Sequence, residues 1–360
     1  MLHYRDTYAT VHLDYLLHNV ETLYQKVKKP MMAILKANAY GHGYKEVAHI
    51  LKDSHMIAMF GVATLKEAID LRQTGVKKDI LILGAIPLED LDLVIENDIT
   101  LTVYSKEYAK EIICLYHHNK PVKVHLKVDS GMNRLGLKTR KEFEDVYQMC
   151  SPHIFNVTGV FTHFAVADDS SQNKEYFQQI KTFESIIKGY DFKYIHSQNS
   201  ASMMYHDETA TNMTRIGIAM YGVDPSGGEN SSLKQVMSLY TKVAMVKKVN
   251  KGEHIGYGYT YQTNEDEYIA TLPIGYADGL IRANQGRYVV INGKEYPIVG
   301  RVCMDQMMIR VDETIKPHDL VEIFGEHMTL SRMAKELHTI PYEIICLVSE
   351  RVERVYVEKE

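Results

Sequence analysis

At 360 residues the chain is long for one hydrophobic core, so two domains are the starting expectation. Hydrophobic residues make up 45% and charged residues 24%, and a net charge of −5 gives no reason to expect nucleic acid or an anionic membrane as partner. No stretch approaches the length of a membrane span and Met1-Leu2-His3-Tyr4-Arg5-Asp6 lacks the apolar core of a signal peptide, so a cytoplasmic home is expected.

Residues 8–13 alternate like a strand, and Asp14 opens a segment with Leu16, Leu17, Val20, Leu23 and Val27 at helical spacing. A unit then repeats. Apolar runs bounded by turn signals fall at residues 31–35, 59–63, 80–83, 99–103, 122–128, 157–161, 192–195 and 216–221. Amphipathic segments lie between them at 44–52, 65–73, 88–96, 106–117, 140–149 and 173–188; the last connection, 200–214, has the weakest helical pattern. Thr64 with Glu67 and Thr139 with Glu142 form capping boxes that satisfy the free amides of a first helical turn. Eight strand-like runs with intervening helices are what a closed (β/α)8 TIM-type barrel requires, and the alternative, an open doubly wound sheet, lacks a GxGxxG after its first strand.

After Tyr221 the texture changes. The segment 222–232 is a linker by composition, and short β-type runs follow. Tyr288–Ile291 and Lys294–Val299 are joined by Asn292-Gly293, the favoured type I′ hairpin turn, and only residues 330–337 look helical. The expected organisation is an N-terminal strand, 1–13, joining a C-terminal mostly β domain, 233–360, with the barrel at 14–232 between them. Cys114, Cys150, Cys303 and Cys346 show no CxxC spacing, so neither a disulfide framework nor a metal site is expected.

Candidate chemistry gathers at the carboxyl ends of the barrel runs, where a barrel places its site. Lys36 follows the first run; an amine partly desolvated there loses its proton more readily and can attack a carbonyl, though a surface lysine leaving a core strand is the plainer reading. Lys127 and Arg134 flank Asp129 after the fifth run, as an anion site or a solvated ion-paired loop. His163 follows the sixth, as a core histidine or a ring lying against an aromatic ligand. His196-Ser197-Gln198-Asn199-Ser200 follows the seventh with amides suited to a phosphate, and Arg215 stands ahead of the eighth, where it needs an acceptor. An amine, a stacking ring, a phosphate cradle and a guanidinium around one mouth are the four things pyridoxal phosphate needs.

These residues also carry a family resemblance. Lys36-Ala37-Asn38-Ala39-Tyr40-Gly41-His42-Gly43 resembles the pyridoxal-phosphate attachment motif of the alanine racemases, a fold type III family. Matching segments follow in the family's order: 127–136, 163–165, Asn199-Ser200, 215–217, Gly256-Tyr257-Gly258, 273–279 and 299–306. The resemblance implies a PLP-dependent interconversion of L- and D-alanine, an isomerase activity supplying D-alanine for peptidoglycan, in a homodimer with shared sites. It makes Lys36 the Schiff-base lysine and one of two bases; the other is matched by Tyr257, contributed by a partner subunit. Exchange on both faces of a planar carbon needs one proton donor per face.

By the same resemblance Arg215 meets the pyridine nitrogen and His163 lies beside the ring. Tyr40, Asn199, Ser200, Gly217, Ile218 and, less directly, Tyr342 belong to the cofactor's phosphate side. Arg134 and the backbone amide of Met304 meet the substrate carboxylate, Lys127 is a carbamylation position, and Tyr276, Arg282, Arg301 and Asp305 line the access channel. Val166 and Asn133 depart from the family's usual residues without touching these positions. A related barrel-plus-β-domain decarboxylase of basic amino acids, a racemase that also accepts serine, and a non-catalytic pyridoxal-phosphate carrier remain as alternatives.

Overall fold

The computed structural model describes residues 4–206, 210–228 and 232–358. The chain divides into two compact units: a barrel unit of Asn19–Ala39 and Tyr44–Met220, and a β unit of Met1–His18, Tyr40–Gly43 and Tyr221–Glu360.

Strand β1 (Tyr8–His12) leads into the helix Leu13–Val27. The barrel strands follow as β2 (Met31–Ile34), β3 (Ile57–Val62), β4 (Asp79–Ile82), β5 (Leu101–Val103), β6 (Val122–Lys127), β7 (Phe155–Phe161), β8 (Tyr194–His196) and β9 (Thr214–Ile216). All paired neighbours run parallel, in the orders β4-β3-β2-β9 and β5-β6-β7-β8. Hydrogen bonds from Thr100 to Ile80 and from Ile82 to Thr100 join β4 to β5, and bonds from Asn212 to Ile195 and from Arg215 to Gln198 join β8 to β9, which closes the ring. Because both faces of each strand are covered, the strands read as continuous apolar runs, and Met31, Met32, Ala33, Phe60, Ile80, Leu81, Val124 and Val160 are fully buried. The helices Leu65–Gln73 and Arg140–Met149 begin at Thr64 and Thr139, each with a complete capping box.

In the β unit, β10 (Met237–Lys242), β11 (Met245–Val249), β12 (His254–Ile255), β13 (Tyr261–Gln262), β14 (Glu267–Leu272), β15 (Tyr288–Ile291), β16 (Lys294–Val299), β17 (Met307–Val311), β18 (Leu320–Phe324) and β19 (Glu353–Val357) follow. Nine strands form one sheet in the order β11-β14-β17-β16-β15-β18-β10-β1-β19, and β1 pairs antiparallel to β10 and parallel to β19. Asn292 and Gly293, at φ 51° and 77°, make the hairpin between β15 and β16.

Several elements differ from the sequence pattern. The eighth strand is Thr214–Ile216, and Ile218–Tyr221 is a 3-10 turn, so Arg215 lies within the strand rather than ahead of an apolar run at 216–221. The helix expected over 88–96 starts at Leu91, and the one over 106–117 stops at Leu115, where Tyr116 turns extended and leaves His117 and His118 in a loop. A helix at Pro341–Leu347 was not legible as one; its proline stands at the first turn, where a missing amide costs nothing. Over 200–214 the helix occupies Ser200–Tyr205. Residues 207–209 of that connection and 229–231 of the linker lie outside the described residues.

Candidate active site

Lys36 stands two residues beyond β2. The backbone there does something the glycines alone do not explain: Ala37, Asn38, Ala39 and Tyr40 all hold φ between 52° and 54°, a left-handed helical turn built without glycine. Each such residue costs roughly 1–2 kcal/mol, so the turn needs anchors. They are present. The Glu67 carboxylate accepts from the Ala37 amide at 2.7 Å, the Asn38 side chain accepts from Tyr44 at 3.0 Å, and Ala39 donates to the Leu35 carbonyl at 2.9 Å. Glu67 also accepts from the Ala63 and Thr64 amides at 2.7 and 3.2 Å, so one carboxylate caps a helix and tethers the residue after Lys36.

Arg215 is buried, and the strand ends converge on its guanidinium. Its Nη1 donates to the His196 carbonyl at 3.0 Å and to His196 Nδ1 at 2.9 Å; its Nη2 donates to the carbonyls of Thr162 and Ser197 at 2.9 Å each and to His163 Nδ1 at 3.2 Å. Burial lowers the group's pKa, but a guanidinium surrounded by acceptors keeps its proton. That fixes the histidines. Both must accept at Nδ1, and burial together with the Arg215 charge holds His163 and His196 well below the ordinary imidazole range. His196 therefore carries its hydrogen on Nε2 and donates to His125 Nδ1 at 2.9 Å, while burial brings His125 down to about 3. His196 stacks on Phe161 at 4.8 Å.

The same Phe161 ring lies 4.7 Å from the Lys127 amine. Burial, then the charges of Arg215, Arg134 and Lys36, lower the Lys127 pKa to about 7, with Asp129 alone opposing. The Asp129 carboxylate meanwhile accepts from the amides of Gly131 and Asn133 at 3.0 Å each, which shapes the loop that carries Arg134, an exposed side chain. Ser200 Oγ accepts from the Gly217 amide at 3.0 Å and the Ala219 amide at 3.4 Å, bringing Ser200, Gly217 and Ile218 together; Asn199 caps the helix Ser200–Tyr205 by accepting from Ser202 at 2.9 Å.

The β unit groups the remaining candidates into three places. Tyr40 lies 5.0 Å from the ring of Tyr221 and 6.1 Å from that of Tyr342, and burial raises its phenol well above the ordinary value. Gly41, at φ 80°, lies against the Ile345 carbonyl, which would be 2.4 Å from any Cβ there. Tyr257 opens the 3-10 turn Tyr257–Tyr259, flanked by Gly256 and Gly258 at φ 73° and 69°, and is 70% exposed. The Arg301 guanidinium packs against Gly258 so closely that a Cβ would stand 2.5 Å from it, which brings Arg301 beside Tyr257. Tyr276 and Ala277 donate to the carbonyls of Cys303 and Met304 at 3.0 Å each, Asp305 pairs with Arg351 at 2.8 Å, and Arg282 stands exposed on the turn Arg282–Asn284.

The carbonyls of His196 and Ser197 and the His196 ring nitrogen, to which the sequence reading gave no role, serve Arg215, while Ser200 Oγ accepts from the Gly217 amide. His125 and Glu67 were missed as parts of the site. His125 sits mid-strand among apolar residues, and only its alternation with Lys127 on one face of β6 hinted at a role; Glu67 was legible as a cap and nothing more.

The fold and these side chains define an α/β barrel with two lysines and two arginines at one mouth, joined in sequence to a β domain. The family is shown by comparison. Residues 11–225 match the family model for the alanine racemase N-terminal domain and residues 236–356 that for the C-terminal domain, so the chain belongs to the alanine racemase family. It is 41% identical to the alanine racemase of Halalkalibacterium halodurans, over 98% of this chain and 95% of that protein. Solved structures agree: the alanine racemase of E. faecalis matches at a TM-score of 0.93 and 38% identity over 98% of both chains, and that of Bacillus anthracis with bound L-Ala-P at 0.93 and 40%, over 99% and 96%.

Proposed function

We propose that this protein is an alanine racemase that uses pyridoxal 5′-phosphate and works as a homodimer in the cytoplasm, supplying D-alanine for peptidoglycan. The barrel, residues 14–232, is the cofactor domain, and residues 233–360 with the first strand form the β domain. The donor set fits the cofactor: the charges of Lys36, Arg134 and Arg215 reach Lys127 with one carboxylate, Asp129, opposing them, and Asp129 Oδ1 is engaged by the amides of its own loop. Such a mouth suits a phosphorylated, anionic ligand and a substrate carboxylate. No helix of the described residues is long and apolar enough to cross a membrane.

When bound, the cofactor supplies the electron sink that makes the substrate's α-hydrogen acidic. Lys36 would hold the group through its amine and would move the substrate's α-proton at Nζ on one face of the α-carbon; Tyr257 of the partner subunit would move it at its phenol oxygen on the other. Arg215 would meet the ring nitrogen and, because a guanidinium does not give up its proton, would leave that nitrogen unprotonated, so that the electron sink would be a weak one. This limits the time in which decarboxylation or transamination could compete. His163 flanks the ring. Asn199, Ser200 and the backbone at Gly217 and Ile218 would take the phosphate, a role that the family resemblance also gives to Tyr40 and Tyr342.

Arg134 and the Met304 amide orient the substrate carboxylate, while Tyr276, Arg282, Arg301 and Asp305 restrict access to small amino acids. Lys127, with its pKa lowered to about 7, is partly unprotonated at neutral pH and nucleophilic enough to take up carbon dioxide with loss of a proton to solvent, and the resulting carbamate would hold Arg134 where the bare ammonium repels it.

The observation that carries this reading is Arg215, charged, buried and fixed by three carbonyls and two histidine nitrogens. The test is chiral chromatography of alanine incubated with the purified enzyme and pyridoxal phosphate. Racemisation from either enantiomer without carbon dioxide release is expected. Release of carbon dioxide from basic amino acids, or bound cofactor with no turnover of alanine, would overturn the assignment.

A further inference from the structure

Outside the barrel mouth, three side chains of the barrel unit bring metal-ligating atoms together. Asp92 lies in the first turn of the helix Leu91–Glu96, and His117 and His118 lie in the loop leading from the helix Lys106–Leu115 into β6. His118 Nε2 is 2.7 Å and His117 Nε2 3.5 Å from Asp92 Oδ1, and one ligand atom from each residue falls within 4.8 Å of the other two. We propose that Asp92, His117 and His118 form a surface binding site for a borderline divalent cation, with Zn2+ as its representative ligand.

Three observations of different kinds support it. The ligand set, two imidazoles and one carboxylate, is the mixture that Zn2+ and its neighbours favour over Ca2+ or Mg2+, and three protein ligands leave further positions for water. The tautomer of His117 is already set: its Nδ1 lies 2.9 Å from the Leu115 carbonyl and donates to it, so the Nε2 lone pair is directed outward, the orienting bond that metal-bound histidines usually make. The two rings stack at 4.6 Å with planes 29° apart, which holds both before any ion arrives.

Around a tetrahedral ion with bonds of about 2.0–2.1 Å, neighbouring ligand atoms stand roughly 3.3–3.5 Å apart. The Asp92–His117 separation already has that value, and the short Asp92–His118 pair opens by several tenths of an ångström when the ion replaces its shared hydrogen. That hydrogen moves to Nδ1 of His118 or to water. The Asp92 side chain is 51% and the His117 side chain 67% exposed, so an ion can enter and keep water in its open positions.

The helix pattern that extended to residue 117 stops at Leu115, and the loop beyond it lets adjacent histidines address one carboxylate, which a continued helix, diverging by about 100° per residue, would not. The loop enters β6 at Val122, whereas Lys127 is that strand's last residue, so the cation sits away from the catalytic mouth. Binding is therefore separable from racemisation.

The experiment titrates chelator-treated holoenzyme with Zn2+ against a chromophoric indicator. Wild type is expected to take up one more Zn2+ per chain, with micromolar affinity, than His117→Ala/His118→Ala, and Asp92→Asn is expected to weaken that uptake by about tenfold or more. All three proteins should racemise alanine equally, which checks that the variants are folded. Peptide mapping after diethyl pyrocarbonate treatment of the wild type should find His117 and His118 protected by saturating Zn2+. Identical uptake by wild type and the double variant, or modification of both histidines unaffected by Zn2+, would refute the site.

Discussion

The barrel mouth and the Tyr257 turn present opposite solutions to holding a functional side chain. Arg215 is buried and contacted from two strand ends, those of β7 and β8, its partners mostly backbone carbonyls that cannot turn away. Tyr257 projects from a turn with glycine at positive φ on either side and stands 70% exposed. The first arrangement is finished within its own unit. The second leaves a large apolar phenol in solvent, an arrangement that makes sense where another chain covers it. The difference teaches that the two halves of the proposed chemistry are held by different means: one by the packing of a barrel, the other by a short turn that the proposed dimer would cover.

The largest effect should come from breaking each half separately. Lys36→Ala and Tyr257→Ala are each expected to lower kcat by about 10^2- to 10^4-fold, since each removes a proton-transfer group, with Lys36→Ala at the upper end because Lys36 would also hold the cofactor. Mixed and reassociated, the two inactive proteins should recover about a quarter of wild-type activity, because half the dimers are mixed and each of those has one intact site of two. Confirmed mixed dimers that stay inactive would show that Tyr257 does not serve a neighbouring site, and the contrast between the two regions would lose its meaning.

A second, smaller effect tests the barrel half alone. The buried Lys127 amine has its pKa lowered from 10.5 to about 7, first by burial and then by Arg215, Arg134 and Lys36. Between those values the unfolded chain binds a proton that the folded chain does not, so stability rises with pH across the window, and below about 7 the full penalty is present. Lys127→Met should therefore be more stable than wild type at pH 6 in carbon dioxide-depleted buffer, by a margin that shrinks towards pH 10.5. Urea unfolding midpoints measure it. A stability difference independent of pH would mean that neither burial nor the neighbouring cations lower the Lys127 pKa, and added bicarbonate should reduce the gap by converting the amine to a carbamate.

Much of this was legible in the sequence, for reasons that also explain what was not. Eight parallel strands buried on both faces announce themselves as apolar runs, and capping boxes mark helix starts to the residue, as at Thr64 and Thr139. The motif around Lys36 and the order of matching segments gave the family, because a cofactor site constrains residues in short contiguous stretches. Long-range roles were hidden. That His196 would serve Arg215 and pass a hydrogen bond to His125 depends on the barrel bringing β6, β8 and β9 together, and no local pattern encodes it. The helix Pro341–Leu347 is only seven residues long, too short for periodicity to establish, and the left-handed turn after Lys36 uses alanine and tyrosine where sequence rules anticipate glycine.

That left-handed turn gives the smallest of the expected effects and the finest test of the idea that the barrel fixes its groups through backbone anchors. Glu67 accepts three amides with two oxygens: Ala37 with one, Ala63 and Thr64 with the other. In Glu67→Gln one of those positions becomes an NH2 facing an N–H, so the variant must abandon either the helix cap or the tether beside Lys36. Losing one such bond to a charged acceptor costs about 1.5–3 kcal/mol. If the tether is lost, the strained φ values at Ala37 to Tyr40 lose a restraint, Lys36 shifts, and kcat should fall by about tenfold with the cofactor still bound. If the cap is lost instead, the unfolding midpoint drops while kcat holds, and a variant that changes neither would show that the turn is maintained by Asn38 and Leu35 alone.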